Sequence, residues 1–432
     1  LMGQFTGLII ILLFFAFLLR VDFIFYIAYV CIGMYAWVRW RTPRQLEKLR
    51  VGRSYAHNAF WGEEIPIIVH IENQSRLPIP WLQLTESLAT ALRSGSDGLN
   101  RITSLTGRET AVYRYTIRGW QRGYYRIGPM RLATGDLFGF LPEVRGSVTA
   151  EYVTIYPRIT PLTKLGLPSR LPFGTIGSRQ RLFEDPARPM GVRDFRSGDS
   201  IRQINWKTSA HTRNLVVKTF EPAISLETAV LLDLHTATYT RQTRYSAGEW
   251  AIEVAASLAA HLTDRRQAVG LITNGIDPLH LLNHAAGAQF DVESGRLLTK
   301  RVQDLHVDNI HTLLAPAIPP GNGRTHLMKL LQRLARLEMD ETIPLTQWAV
   351  PACSHLSWGV TLLVISARGD IATCQTLHRL VRSGFNPVLI AIEPDYNFGE
   401  VRERARRLGF LAFNIVDTKD LDPWRIPQQA KP

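Results

Sequence analysis

The chain has 432 residues, enough for two or three domains with cores of their own. Its formal charge is +13, from 50 basic and 37 acidic residues, a balance that suits nucleic acid or an anionic membrane face. Cys31, Cys353 and Cys374 have neither CxxC nor zinc-ligand spacing, which argues against a disulfide framework and fits a reducing compartment.

The first elements are apolar. Residues 5 to 19 read FTGLIIILLFFAFLL, and after Arg20-Val21-Asp22 a second run, FIFYIAYVCIGMYAWV, extends from Phe23 to Val38. Each of Arg20 and Asp22 would cost roughly 2.5 to 3.5 kcal/mol at mid-bilayer, so they belong at a turn between two short spans. The first run lacks the basic flank and small-residue cleavage site of a signal peptide. Arg39, Arg41, Arg44, Lys48 and Arg50 follow the second. By the positive-inside rule that end is cytoplasmic. Residues 1–40 therefore read as a transmembrane helical hairpin, and the bulk of the chain as cytoplasmic.

From Phe60 the apolar period becomes two. EIPIIVHIEN, AVYRYTIRGWQRGYYRIGPMRLA and AEYVTIYP alternate between glycine-rich turns, which predicts an antiparallel β-sandwich over 41–158. Trp81, Trp120, Tyr124 and Tyr125 read as core and rim aromatics of that sandwich. After Glu221, β-rich runs such as TAVLLDL, AVGLITNG, VTLLVIS and NPVLIAIE alternate with amphipathic helices, around a polar, irregular insertion near 276 to 322. Residues 222–432 thus predict a doubly wound α/β domain with a mostly parallel sheet, whose ligands would sit beyond the strand tips.

The first tip, DLHTA, resembles the start of a von Willebrand factor A domain, where Asp-x-Ser-x-Ser opens a metal site. Asp233 matches the acid, while His235 and Ala237 stand in place of the serines. Thr325 resembles the later loop threonine, and Ser366 stands near the second acid position. Magnesium prefers octahedral oxygen ligands, so these substitutions predict a degenerate site that holds no metal.

Residues 159–221 connect the two domains. From Arg158 to Glu221 twelve basic residues face five acidic ones, so the basic excess is local. The stretch before Arg193 is rich in proline and glycine, as in an extended connector. Within GVRDFRSGDSIRQINWKTSAHTRNLVVKTFE, Gly198-Asp199 makes a turn, Ile201, Ile204 and Trp206 are expected to be buried, and Arg193, Asp194, Asp199 and Arg202 to form a charge network.

The spacing of Arg193, Phe195, Gly198, Asp199, Arg202, Ile204, Trp206, Ser209 and Ala210, ending in Phe220-Glu221, resembles the signature of the domain-of-unknown-function 58 family. Asn205 and His211 depart from the common Asp and Arg. The resemblance implies a bacterial or archaeal membrane protein with a hairpin, a sandwich and a von Willebrand A-like domain. It further implies an adaptor partnered by a MoxR-type AAA+ ATPase and by a membrane transglutaminase-like protein, with the signature serving structure and docking. No Ser/His/Asp set and no GxxxxGK[ST] loop occur, so no enzyme, no cofactor and no specific nucleic acid is expected; membrane lipids are. Two alternatives stand beside the adaptor: a metal-dependent hydrolase at the tips near Asp233, and a nucleic-acid-binding membrane protein.

Overall fold

The computed structural model describes residues 7, 10–11, 13–14, 17–18, 22–93, 99–136, 143–161, 184–196, 204–222, 227–284, 288–291, 293–299, 310–393 and 397–421. The chain forms two compact units: residues 1–158 with 278–300 and 332–336, and residues 159–277 with 301–331 and 337–432.

The first unit opens with helix α1 (Asp22–Glu47), which is long and apolar enough to cross a bilayer. Asp22 sits in its first turn, where a carboxylate meets the positive end of the helix dipole. Arg20 and most of the first apolar run lie outside the described residues. The helix also runs past the expected boundary at residue 40. Its last two turns find partners in the sandwich: Thr42 and Gln45 are buried, Leu46 packs on the core, Thr134 Oγ1 lies 3.5 Å from Gln45 Oε1, and Arg41 donates to the Pro78 carbonyl.

The sandwich has one sheet of β1 (Leu49–Ser54), β3 (Glu64–Asn73) and β6 (Thr110–Arg118), in the order β1-β3-β6. The other runs β2 (Asn58–Ala59), β9 (Glu151–Ile155), β7 (Gly123–Thr134), β4 (Ile79–Leu88) and β5 (Asn100–Leu105), with β8 (Val144–Val148) also paired to β7. In β3 the alternation read from sequence is realised: Ile65, Ile67, Val69 and Ile71 face inward, and meet Leu82, Leu84, Ile127, Met130 and Val153 of the second sheet. Each such side chain contributes about 1.5 to 3 kcal/mol by leaving water. Tyr125 is fully buried, whereas Trp120 is half-exposed at the rim. Within this core Arg53 and Glu86 form a two-pronged ion pair at 3.0 Å, with neither side chain exposed. At Gly128 (φ +88°) a Cβ would fall 2.8 Å from Arg53 Nη2 and 3.1 Å from Glu86 Oε1, so the pair needs glycine there.

The second unit begins with the antiparallel ribbon of β10 (Glu184–Asp194) and β11 (Val216–Pro222), joined through helix α2 (Trp206–Thr212). Then come β12 (Thr228–Leu232), helix α3 (Arg244–Asp264) and β13 (Val269–Thr273). Helix α4 (Pro278–His284) and the hairpin β14 (Ala288–Phe290) and β15 (Leu297–Thr299) follow, but they belong to the first unit. There Thr90 Oγ1 donates to the Glu293 carbonyl (2.9 Å), and Phe290 stacks on Tyr152. The irregular insertion expected from sequence thus contains ordered structure, and 222–432 is not one continuous domain. The chain returns through β16 (Ile318–Gly321), α5 (Arg324–Arg336), α6 (Leu345–Ala352), β17 (Thr361–Ser366), α7 (Ile371–Arg382), β18 (Asn386–Ala391), α8 (Phe398–Leu408) and β19 (Leu411–Asn414). The sheet order is β16-β13-β12-β17-β18-β19, with β16 antiparallel and the other pairings parallel. Strands β12 and β13 are buried at every residue, as expected of central parallel strands. The described residues 184–196 and 204–221 of the expected connector fall within this unit.

Candidate functional site

Five parallel strands point their carboxyl ends to one edge of the sheet. Neighbours β12 and β17 mark the place where successive connections run in opposite directions, the switch point at which such sheets hold ligands. Asp233 follows β12 there and is fully buried. Its Oδ1 accepts from Asn274 Nδ2 (2.8 Å) and the His235 amide (3.1 Å), and its Oδ2 from Ser366 Oγ (2.9 Å). Burial pushes its carboxyl upward, and the hydrogen bonds from Asn274, His235 and Ser366 oppose that shift. The Asp233 carbonyl accepts from Tyr239 Oη at 2.6 Å. A second carboxylate, Glu393, lies beyond β18 and is almost wholly buried. It accepts from the Thr240 amide and hydroxyl (both 2.8 Å) and from Thr243 Oγ1 (3.0 Å), and pairs with Arg368 Nε at 2.9 Å.

Of the residues singled out for this edge, Asp233, His235 and Ser366 come together. Ala237 lies on the exposed 3-10 turn Thr236–Thr238. Thr325 does not belong here. Because β16 is antiparallel, its end at Gly321 pairs with Val269, the first residue of β13. The chain therefore enters α5 at the amino edge, where a His326 ring nitrogen lies 2.7 Å from the Val269 carbonyl. A threonine that does reach the carboxyl edge is Thr342, after α5. Its neighbour Ile343 accepts from Asn274 Nδ2 (2.9 Å), and the Asp340 carbonyl accepts from the Thr342 and Thr236 amides. Sequence reading also missed Asn274 and Glu393, although both are polar residues just past an apolar strand run.

A divalent cation of the von Willebrand A kind does not fit these donors. Asp233 is engaged through both oxygens, Ala237 offers none, Ala367 stands where an acid would be, and the next residue is the cation Arg368. Magnesium requires oxygen ligands in near-octahedral array. The network joins three adjacent strands through side-chain hydrogen bonds.

The signature segment is built differently. Asn205 caps α2, its side chain accepting from the Thr208 amide (3.4 Å), a task the more common Asp would also perform. Ser209 is buried and its Oγ accepts from the Val216 amide at 2.9 Å, which seats the helix on β11. Ile204 is the buried apolar anchor and bridges to Val217. Trp206 is not an anchor. As the first residue of α2 it projects outward and is 64% exposed, which corrects the expectation of burial. Val192 and Leu215 of the same segment are also exposed, as are Arg196, Lys207, Ala210, His211, Arg213 and Lys218. Phe195 is half-buried, its amide donating to the Leu215 carbonyl (2.9 Å). Arg193 Nη1 donates to the Asp194 carbonyl (3.2 Å), and Glu221 lies in β11. Gly198, Asp199, Ile201 and Arg202, and with them most of the expected charge network, lie outside the described residues.

Comparison with known proteins gives a sequence relative and weak structural likenesses. The chain is 22% identical to the uncharacterized protein YeaD of Bacillus subtilis (strain 168), over 65% of this chain and 69% of that protein. The CARDB domain of PF1109 from Pyrococcus furiosus, solved with di-metal ions, is 18% identical and covers 25% of this chain and 91% of its own, at a TM-score of 0.19. A beta-glucosidase from Listeria innocua in complex with isofagomine is 14% identical, covering 25% of this chain and 16% of its own, at a TM-score of 0.16. Scores this low assign no fold. Residues 191–290, which include the signature from Arg193 to Glu221, match the family model "Protein of unknown function DUF58".

Proposed function

We propose that this protein is a membrane-anchored cytoplasmic adaptor, without enzymatic activity of its own, that docks a MoxR-type AAA+ ATPase through the β10–α2–β11 ribbon. The observation that carries the reading is the exposure of Trp206, a signature residue, on the same segment that exposes Lys207, Arg213 and Lys218. An exposed aromatic on a segment that also exposes cations is the composition that anchors protein interfaces. The anchor would be a helical hairpin of which α1 is the second limb, oriented by the basic residues that follow it. The second unit is read as von Willebrand A-like, supported by its sheet order and by the position of Asp233 at the switch point. A hydrolase at that edge finds less support, because the donors around Asp233 occupy its carboxylate.

The test is capture of the ATPase from membranes in mild detergent, with and without ATP, beside melting curves. Trp206→Ala should leave stability within roughly 0.5 kcal/mol, as for most surface changes, and Trp206→Ala with Lys207→Glu should abolish capture. Undiminished capture, or a large loss of stability with Trp206→Ala, would overturn the docking role.

A further inference from the structure

The end of the sandwich that meets α1 carries an exposed basic surface at a fixed distance from the apolar run. Three contacts set that distance. Arg41 donates to the Pro78 carbonyl, the Lys48 carbonyl accepts from the Gln74 amide (3.0 Å), and Leu46 packs on the sandwich core. The 74–78 turn is itself built by Asn73, which is fully buried: its Nδ2 donates to the Leu77 and Thr106 carbonyls (3.0 and 2.8 Å), and its Oδ1 accepts from the Ser75 amide. The 106–109 loop lies against it, with the Arg108 amide donating to the Ser75 carbonyl (2.9 Å). Arg76, Arg108, Arg44 and Lys48 are all exposed at this end, and Leu77, next to Arg76 in the chain, is 38% exposed.

The apolar run of α1 ends at Val38. Trp37 and Trp40 follow one another on its exposed surface, 5.8 Å apart, and the Arg44 guanidinium lies over Trp40. Tryptophan and arginine in that order mark the passage from hydrocarbon to headgroups. Arg41, which touches Pro78, stands one residue beyond Trp40, a rise of about 1.5 Å. The turn bearing Arg76 and Leu77 is therefore held at headgroup level.

We propose that this end of the sandwich is a lipid-binding surface that docks on anionic phospholipid headgroups, with Arg76, Arg108, Arg44 and Lys48 meeting phosphates and Leu77 entering the interface. The proposal rests on the reading of α1 as a membrane span. Charge complementarity selects the lipid, because exposed cations within a Debye length of an anionic leaflet are drawn to it.

The experiment uses the full chain in lipid nanodiscs, with a fluorescent label on Leu77→Cys, Thr116→Cys or Tyr29→Cys in a Cys31→Ser background; Cys353 and Cys374 are buried. Thr116 is exposed on β6 opposite Pro66, seven residues along β3 from Asn73, or roughly 24 Å away. Headgroup nitroxide should quench position 77 at least about twofold more than position 116, and about twofold more with ~30% phosphatidylglycerol than in zwitterionic lipid. Arg76→Glu with Arg108→Glu should remove the gain from anionic lipid. If acyl-chain nitroxide leaves position 29 unquenched, the anchor fails and the surface with it. If position 29 is quenched but position 77 behaves like position 116, or does not respond to anionic lipid, the surface alone is refuted.

Discussion

Glu86 and Asp233 are both buried carboxylates, yet the two units hold them in opposite ways. Glu86 is gripped by Arg53 through two bonds of 3.0 Å, with Tyr115 Oη donating at 3.2 Å. Among the described residues Asp233 is held by hydrogen bonds from an amide side chain, a backbone amide and a hydroxyl rather than by a guanidinium. A buried ion pair is stable as a pair, and loss of either member strands the other charge. A carboxylate held by neutral donors keeps the option of taking a proton instead. The sandwich therefore has an electrostatic lock, and the sheet edge has a group whose charge answers to pH.

Substitutions that break each arrangement separate the two. Arg53→Ala should have the largest effect, about 3 to 5 kcal/mol, because it leaves Glu86 buried beside no guanidinium; denaturant unfolding of the first unit's transition measures it. Ser366→Ala removes one of three donors from Asp233 and should cost about 1 to 3 kcal/mol. Asp233→Asn should cost least, within about 1 kcal/mol near pH 4, because its amide can donate to Ser366 Oγ while its carbonyl keeps the other two bonds. Its pH dependence carries the information. The folded-state pKa of Asp233 is raised above the ordinary 3.8, so its contribution is fully present below that value and lost as pH rises through the folded pKa. Melting curves should then show Asp233→Asn gaining on the parent as pH rises from acid toward neutrality. A constant difference across that range would mean that Asp233 binds protons equally in the folded and unfolded states, and the contrast with Glu86 would disappear.

The parts of this architecture governed by a short repeat were legible in the sequence. Ile65, Ile67, Val69 and Ile71 announced both a strand and its inward face, because side chains alternate with a period of two. Asp233 and Ser366 were legible for a similar reason: each ends an apolar run, and parallel strands bring such ends together. Thr325 misled because direction within the sheet leaves no mark in a four-residue strand. Once β16 runs antiparallel, the next residues lie at the wrong edge, and Thr325 with them. Trp206 misled for another reason. Aromatic character favours burial only on average, and at the first position of α2 this ring is exposed. The insertion near 276 to 322 was illegible because its hairpin is only three residues deep on each side, too short for a period to register.

Helix α1 enters the sandwich without a linker, since Thr42, Gln45 and Leu46 are already part of the folded body while Leu49 opens β1. Such a joint transmits rotation. Each residue of a helix turns the chain by about 100° and advances it by about 1.5 Å, so the angular phase of the sandwich is set by the number of residues preceding it. One residue added between Val38 and Arg39 would swing the whole sandwich about the helix axis by more than a quarter turn, whereas seven added residues would return it nearly to its starting azimuth.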